Sequence, residues 1–465
     1  MTIVTRHKLA WVVLIAIVAR VAFLLIFGES VFFYEQTGLI HGSTAYDAYA
    51  LNLLETGVYG RTAGVADSNI PPLYSYIVAA VYGVFGRGGL QIGLLHTLFD
   101  VLSIVLVYEI ARRLFQQGTF FGQAIGEWVG ALAGLFYALY PYLIFQNLTL
   151  NDTALFMLLM HAFVLLVVIL REREQYDRVT LRIALLAGLV LGLSALTRAL
   201  LPLFALFTAL WFLFRLDLRE SFLRLLPVAV TSVLVLVPWM IRSYNVYDQF
   251  VALALNTGPN LHHSANDMTI ALFEAGYDAQ WADSPPNLPQ DPYEINAVLT
   301  ETAIDWMATN TDRLPELLWV KFLVHWSIDI TPRENPLPGQ SFALADDGSL
   351  IVVDNPDAQK QDIETITLYS DSLFDRIGRP VHQLYFGTLL VLAVIGQVLT
   401  LPQWRTVSLL IFLQLSMTIM YMLFHPSTRY RVPTDPLLFT FSAYTLLVAV
   451  RALYYQRKNR YRKPA

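Results

Sequence analysis

Residues 9–27 read LAWVVLIAIVARVAFLLIF, an apolar run of about the 20 residues that one helical membrane crossing needs. The run ends in Gly28–Glu29–Ser30 without a small-x-small cleavage site, and it is longer than the core of a signal peptide. We therefore interpret it as a retained span. Arg6 and Lys8 precede it, which predicts that its amino end faces the cytoplasm.

The composition favours a membrane protein along the whole chain. Of 465 residues, 56% are hydrophobic and 14% are charged, whereas soluble domains carry about 25% charged residues. No cysteine is present, which excludes disulfides, thiolate nucleophiles, zinc–thiolate sites and iron–sulfur clusters. The chain has no basic face with interleaved aromatic residues, so no nucleic-acid partner is expected.

Further apolar runs predict an all-α polytopic membrane protein of about 10–12 transmembrane helices. If the spans alternate in direction, the basic patches of the chain all fall on one face, as cytoplasmic loops do. The predicted spans are residues 9–27, 90–110, 124–145, 153–170, 181–197, 199–214, 224–241, 384–401, 406–424 and 436–454. The basic patches are Arg112–Arg113, Arg171 to Arg178, Arg215 to Arg224, Arg405 and Arg457 to Lys463.

The segment from Pro71 to Phe85 is apolar but does not fit this count. A full crossing there would reverse the side of every later loop and break the charge pattern. We therefore predict a re-entrant or interfacial helix for it, a placement that protein or water must cover.

The span map divides the chain into three parts. Residues 1–241 form an N-terminal transmembrane module with an outward loop at 28–89, and this module is expected to carry the chemistry. Residues 242–383 form a large outward loop region with an interfacial, Trp-rich helix. Residues 384–465 form the C-terminal transmembrane helices and a basic cytoplasmic tail.

Two carboxylates lie at the outward mouths of early spans. Asp47 begins a short predicted helix, and Asp152 precedes an apolar span. Each could be a helix N-cap. Alternatively, Asp47 and Asp152 could share one cavity, where they would divide acid and base roles or hold a divalent cation.

Several cations are also predicted on the outward side, against the usual bias of basic residues towards the cytoplasm. Arg198 lies between two spans, and the turn at residues 425–436 holds His425, Arg429 and Arg431. Such side chains can reach to lipid phosphates, or they can bind an anionic ligand, which Arg suits better than Lys. Lys321 could join them.

The sequence lacks nucleotide-binding, zinc-protease and serine-hydrolase motifs. Four segments in this order instead resemble the C-type membrane glycosyltransferases, in the branch of protein mannosyltransferases and lipid A aminoarabinose transferases. The segments are Asp47 to Gly60, Pro71–Pro72–Leu73–Tyr74, Leu196–Thr197–Arg198 and Arg429–Tyr430–Arg431–Val432–Pro433.

The resemblance implies transfer of one sugar from a polyprenyl-phosphate carrier to a hydroxyl of a lipid, glycan or protein acceptor, with inversion. It implies Asp47 as general base, with Asp152 at the second acidic position. Membrane lipids are further expected partners. Residues implied to bind the donor phosphate are Arg198, Arg429, Arg431, His425, Tyr430 and Lys321, and those implied to line the cleft are Tyr46, Tyr49, Pro71, Pro72 and Tyr74.

The chain departs from the family pattern at three places. Ala48 follows the single Asp47 where many members have two adjacent acidic residues, Asn151–Asp152 replaces a Ser-Glu or Thr-Glu pair, and Ile70 precedes the two prolines. The alternatives are therefore a transporter of lipid-linked sugars, an inactive scaffold, or an O-antigen ligase or polymerase. The expected location is a bacterial cytoplasmic (inner) membrane, with the active site facing outward.

Overall fold

The computed structural model describes residues 7–32, 43–120, 122–282, 284–333, 339–355 and 374–460. These parts are mostly helical, with two short antiparallel hairpins. The hairpins pair β1 (Thr119–Phe120) with β2 (Gln123–Ala124), and β3 (Gln340–Leu344) with β4 (Leu350–Asp354). The helices are α1 (Lys8–Phe32), α2 (Thr44–Thr56), α3 (Leu73–Phe85), α4 (Gly89–Leu114), α5 (Ile125–Ala138), α6 (Pro141–Gln146), α7 (Thr153–Glu172), α8 (Arg178–Ala195), α9 (Pro202–Leu213), α10 (Leu218–Tyr247), α11 (Thr257–Ser264), α12 (Thr269–Ala275), α13 (Pro292–Thr309), α14 (Leu314–His325), α15 (Arg379–Leu399), α16 (Trp404–Leu423), α17 (Thr428–Arg431) and α18 (Asp435–Arg460).

Within the described residues, 8 helices are long and apolar enough to cross a membrane. This confirms the predicted all-α polytopic membrane fold. Three further apolar helices, α3, α5 and α9, are shorter. The 8 candidate spans are Lys8–Gly28, Gly89–Leu114, Thr153–Glu172, Arg178–Ala195, Leu218–Tyr247, Arg376–Leu399, Leu401–Leu423 and Thr428–Tyr454.

The region predicted as one span over residues 124–145 is instead two helices, α5 and α6. Pro141 has no N–H to continue the hydrogen-bond ladder of α5. The last carbonyl groups of α5 accept hydrogen bonds from the buried Arg20 side chain of α1, at 2.7 Å for Ala138 and 3.3 Å for Tyr137. Arg20 also pairs with Asp100 of α4 at 2.7 Å, so one cation satisfies the broken helix end and a buried carboxylate. The span predicted over residues 199–214 is likewise the shorter helix α9.

The apolar segment after Pro71 is the 13-residue helix α3. At about 1.5 Å per residue such a helix reaches only two-thirds of the roughly 30 Å hydrocarbon thickness. It packs against α2 from the same loop. This length agrees with a re-entrant or interfacial helix rather than a full crossing.

Small residues let the span helices approach closely. Gly188 and Gly192 of α8 face α10. A Cβ added at Gly188 would lie 2.5 Å from the Val228 carbonyl oxygen, and one added at Gly192 would lie 2.6 Å from the Val235 Cβ. Two glycines four residues apart are a common contact between membrane helices, because backbone can then touch backbone. The resulting core is continuous through α4, α5, α7, α16 and α18.

Three of the predicted basic patches meet at one end of the helical bundle. Arg113 Nη1 lies 2.5 Å from Glu172 Oε2, and Arg171 donates to the carbonyl of Arg405 at 3.1 Å. Helix α7 therefore runs from these contacts, at its carboxyl end, to Asp152 at its amino end. The carboxylate and the basic patches lie a whole helix apart, as the predicted sidedness requires.

The large loop region contains α11 to α14 and the β3–β4 hairpin. The Trp-rich segment predicted as interfacial forms α14, which leaves Trp319 and Leu323 exposed. Parts of both predicted outward loops, at residues 33–42, 283, 334–338 and 356–373, lie outside the described residues, as do Arg6 and the tail from residue 461.

Candidate functional site

The candidate site is built around Asp152, the residue just before α7. Its carboxylate makes no capping hydrogen bond to that helix, so the N-cap interpretation does not account for it. Instead, Arg198 binds both of its oxygens, with Nε 2.7 Å from Oδ2 and Nη2 2.5 Å from Oδ1. Arg198 comes from the turn between α8 and α9, and its Nη2 also donates to the Thr153 hydroxyl at 2.9 Å.

A second cation reaches the same carboxylate from the far end of the sequence. Arg429, in the short helix α17, places Nη2 3.2 Å from Asp152 Oδ1. Within the described part of the chain, Arg429 Nε and Arg198 Nη1 are buried and have no hydrogen-bond partner. Two guanidinium groups thus share one carboxylate and keep N–H groups for an anionic ligand.

The electrostatics fix the protonation states of this cluster. Burial alone would raise the pKa of the Asp152 carboxyl, but the adjacent Arg198 and Arg429 outweigh burial and lower the pKa to about 2. Burial, and then the charge of Asp152, raise the pKa of the Tyr46 hydroxyl well above its usual value. At neutral pH the cluster therefore holds an ionised carboxylate, two guanidinium cations and a neutral phenol.

This cluster lies on the wall of a cavity of about 540 Å³. Its inner wall is formed by Tyr46, Pro71, Asp152, Arg198 and Arg429, and its outer wall by residues 250–257 and by α11 and α13. We call this space the polar cavity.

A second cavity, of about 660 Å³, lies against the same cluster. It runs past aromatic side chains of α1 and α6, including Phe23, Phe27 and Phe145, and we call it the apolar cavity. Charged side chains line it too, namely Asp278, Arg333 and Arg379, the last of which is paired with Asp329 at 2.7 Å. His425, Arg429 and Tyr430 line both cavities, so the turn before α18 separates two spaces of different character.

The comparisons with known proteins agree with this architecture. Residues 69–242 match the family model described as dolichyl-phosphate-mannose-protein mannosyltransferase. No curated protein matches the chain. Among solved structures, the oligosaccharyltransferase of Archaeoglobus fulgidus in its apo form matches with a TM-score of 0.55 at 14% identity, over 98% of this chain and 52% of that one.

The chain has the fold of the C-type membrane glycosyltransferases. A second archaeal structure, AglB from Archaeoglobus fulgidus in complex with an inhibitory peptide and a dolichol-phosphate, matches with a TM-score of 0.54 at 14% identity, over 99% and 52% of the two chains. ArnT from Cupriavidus metallidurans bound to undecaprenyl phosphate matches with a TM-score of 0.41 at 14% identity, over 94% and 77%. This chain spans about half the length of the archaeal chains. The predicted resemblance is confirmed.

Within this glycosyltransferase fold, Asp47 does not lie on the wall of either cavity. It is not a helix N-cap either, since Ser43 takes that position in α2. Its carboxylate accepts two hydrogen bonds from Arg87 and one from the Tyr82 hydroxyl, all at 2.9 Å. The structure therefore does not bring Asp47 and Asp152 into one cavity, and the assignment of Asp47 as base stays a prediction.

Two predicted phosphate ligands lie elsewhere. Arg431 is fully buried, 3.6 Å from the centre of the Phe386 ring and 3.4 Å from Asp435. Lys321 is buried behind the polar cavity, where Nζ donates to the Ser264 hydroxyl at 2.5 Å and to the Met422 carbonyl at 3.1 Å. Both side chains hold helices together rather than facing a cavity.

Of the residues predicted to line the cleft, some line the polar cavity and others do not. Tyr46 and Pro71 line the polar cavity, whereas Pro72 begins α3. Tyr74 lies behind Tyr46, in edge-to-face contact at 4.8 Å, with its hydroxyl 2.7 Å from His96. Tyr49 bonds to Asp67. These three stay outside the cavity lining and support its wall.

The residues at Asp152 do not fit a divalent cation. Both carboxylate oxygens are bound by guanidinium groups, and two adjacent positive charges oppose a third. Nowhere in the described ranges do three His, Asp or Glu side chains form a group that could hold a metal ion.

The sequence analysis missed several residues of the cavity walls. They include Tyr293, Asn256, Asn260 and Asn296 in the polar cavity and Arg333, Arg379 and His382 in the apolar cavity. Most lie in the large loop region, where no motif marked them. The one available signal was the polar stretch of residues 256–296, which is rich in Pro, Asp and Asn.

Proposed function

We propose that this chain transfers a single sugar from a polyprenyl-phosphate carrier to an acceptor hydroxyl. The observation that carries the proposal is that Arg429, His425 and Tyr430 line two cavities, one that runs past aromatic side chains and one that contains Asp152 and Arg198. A lipid-linked sugar phosphate has an apolar tail, an anionic centre and a polar head, in that order. The apolar cavity, the cations and the polar cavity follow the same order.

The apolar cavity supports the binding of the carrier. Its aromatic side chains, on α1 and α6, suit a polyprenyl chain, and its cations suit the phosphate. Arg429 contacts both cavities and keeps a buried N–H without a partner among the described residues. We assign the phosphate to this point.

The reaction then needs little from the protein besides placement and charge. The acceptor oxygen attacks the anomeric carbon, the bond from that carbon to the phosphate oxygen breaks, and the polyprenyl phosphate leaves with the electron pair. Negative charge grows on the leaving phosphate as this bond breaks. Arg429 and Arg198 lie where they stabilise that charge, an effect worth about 10²–10³-fold per donor in comparable sites.

The acceptor hydroxyl must also lose its proton. Asp152 is the carboxylate on the wall of the polar cavity, so we assign the base to Asp152. Its low pKa makes it a weak base, which suits a displacement that develops oxocarbenium character before the proton leaves. Asp47, the candidate from the sequence, lies on the wall of neither cavity.

Transfer of radiolabelled sugar from a panel of polyprenyl-phosphate monosaccharides tests the proposal. Wild type in lipid nanodiscs is expected to turn over at least one donor, and Asp152→Asn is expected to lose most of that turnover. A protein that binds the carriers but transfers no sugar to any acceptor would contradict the proposal and favour the transporter or scaffold alternatives.

A further inference from the structure

Among the described residues, those that form the outer wall of the polar cavity carry no charged side chain. The wall is formed by residues 250–257, by Asn260 of α11, and by Tyr293, Asn296 and Ala297 of α13. The charged lining residues, Asp152, Arg198 and Arg429, are all on the inner wall and bind one another. His425 lines the inner wall as well, and burial lowers its pKa, which favours the neutral ring.

An acceptor that carries a phosphate or carboxylate would therefore meet no cation on this wall. A buried anion without a partner is strongly unfavourable. Arg198 and Arg429 carry two positive charges, and Asp152 neutralises one of them. The proposed function assigns the remaining positive charge to the donor phosphate. No positive charge of the described lining then remains to neutralise an anionic group on the acceptor. This charge pattern favours an uncharged acceptor.

Residues 250–255 of the wall are all apolar, and three amide side chains complete it. Asn256, Asn260 and Asn296 line it, with Tyr293 and Tyr46 on either side. An Asn amide both donates and accepts hydrogen bonds, as each sugar hydroxyl does. The faces of aromatic rings carry negative electron density, which attracts the C–H groups of a sugar ring.

The amide wall is also held in place before any ligand binds. Asn296 Oδ1 accepts a hydrogen bond from the Gly258 N–H at 2.8 Å, which ties α13 to α11. The helices touch there, because a Cβ at position 258 would lie 2.1 Å from the Asn296 carbonyl oxygen. A fixed wall of amides can discriminate between hydroxyl arrangements because little ordering is needed on binding.

We infer that the acceptor of this enzyme is an uncharged carbohydrate, bound in the polar cavity against the amide wall of α11 and α13. This inference rests on the proposed function for the identity of the cavity as the acceptor side. A volume of about 540 Å³ lies within the usual range for pockets that enclose one small ligand, roughly 300–1,000 Å³. A short glycan end fits this range.

Binding of matched probes to the full chain in nanodiscs tests the inference without requiring turnover. The probes are cellobiose, cellobiose 6-phosphate and a capped, uncharged Ser/Thr peptide, measured by microscale thermophoresis. Cellobiose is expected to bind about tenfold or more tightly than its phosphate, a difference of about 1.4 kcal/mol or more. The peptide is expected to bind more weakly than cellobiose.

A charge variant makes the test specific to the wall. Asn260→Lys places a cation on the lining and is expected to raise the affinity for cellobiose 6-phosphate by about tenfold. Gln290→Lys, at an exposed position outside the lining, is the matched control and is expected to change neither affinity.

Three outcomes would overturn the inference: equal binding of the neutral and phosphorylated probes, tighter binding of the peptide, or no binding of cellobiose at millimolar concentration. Failure of the proposed function has a different signature, since cellobiose would then bind but receive no sugar from any donor.

Discussion

Arg198 donates two parallel hydrogen bonds to Asp152 at the wall of the polar cavity, from Nε to Oδ2 at 2.7 Å and from Nη2 to Oδ1 at 2.5 Å. A planar guanidinium in this geometry fixes the direction of the carboxylate. Arg429 adds a third contact from α17. In the sequence Asp152 lies 46 positions from Arg198 and 277 positions from Arg429, so only the fold brings these three residues together at the wall of the polar cavity.

The first prediction concerns Asp152 itself. Asp152→Asn keeps the shape but removes the charge, and sugar transfer is expected to fall by about 10²–10³-fold because the acceptor loses its base. Single-turnover transfer from a polyprenyl-phosphate sugar measures this. Asp177→Asn is the matched control, because that carboxylate caps α8 at an exposed site. A folded Asp152→Asn protein with activity within twofold of wild type would contradict the assignment.

The second prediction separates the two candidate bases. Asp47→Asn removes the ion pair with Arg87 and is expected to lower the thermal unfolding midpoint while transfer stays within about fivefold, a barrier change of roughly 1 kcal/mol. The double variant Asp47→Asn with Arg87→Gln is expected to recover part of the lost stability, because no unpaired cation remains. Loss of transfer with an unchanged midpoint would instead establish Asp47 as the base.

Much of the fold could be predicted from the sequence because membrane spans follow from apolar length alone. The predicted spans that differ from the structure differ only in single segments. Pro141 marks the break after Ala138 in the sequence, but the cation that binds the free carbonyl groups there is Arg20 of α1, which is far away in the chain. Helix α9 is likewise shorter than its apolar run.

The candidate site could be predicted only in part. Arg198 and Arg429 stand out in the sequence as cations that are predicted on the outward side, against the usual bias of basic residues. Arg431, two residues later, carries the same signal but turns into the core beside Asp435, since neighbouring positions on a helix face different directions. The amide wall has no motif, because its residues come together only through the contact of α11 with α13.

The third prediction uses that difference between Arg429 and Arg431. Arg429→Gln is expected to reduce kcat/KM for the donor by about 10²-fold with little change in thermal stability, because it removes a charge from the phosphate position. Arg431→Gln is expected to lower the unfolding midpoint, since it removes the cation that neutralises buried Asp435 and leaves the Tyr140 hydroxyl to bind that carboxylate, a loss of up to about 3–5 kcal/mol. The reverse pattern would place the phosphate at Arg431.

The fourth prediction concerns metal ions. EDTA is expected to leave the initial rate of transfer unchanged, because guanidinium groups already bind both oxygens of Asp152. Rates are compared after dialysis against EDTA and after addition of excess Mg²⁺ or Mn²⁺. Loss of activity that either metal restores would mean that Asp152 releases Arg198 during the reaction.

The last prediction tests the placement of Lys321. Burial lowers the pKa of Lys321 in the folded protein to about 7, against about 10.4 in an unfolded chain. Between these values the unfolded state binds more protons, so the stability of wild type rises with pH, by up to about 1.4 kcal/mol per unit. Below pH 7 the folded protein carries a buried ammonium group with no carboxylate among its hydrogen-bond partners in the described residues.

Lys321→Met removes this dependence. Its unfolding midpoint relative to wild type is expected to be highest near pH 6 and to decline steadily towards pH 10, while KM for the donor stays unchanged. Thermal unfolding in nanodiscs at four pH values measures the first quantity, and initial-rate kinetics at pH 7 measures the second. A midpoint difference that does not vary with pH would show that Lys321 keeps its ordinary pKa. A raised KM for the donor would indicate that Lys321 binds the donor phosphate, as the sequence analysis predicted.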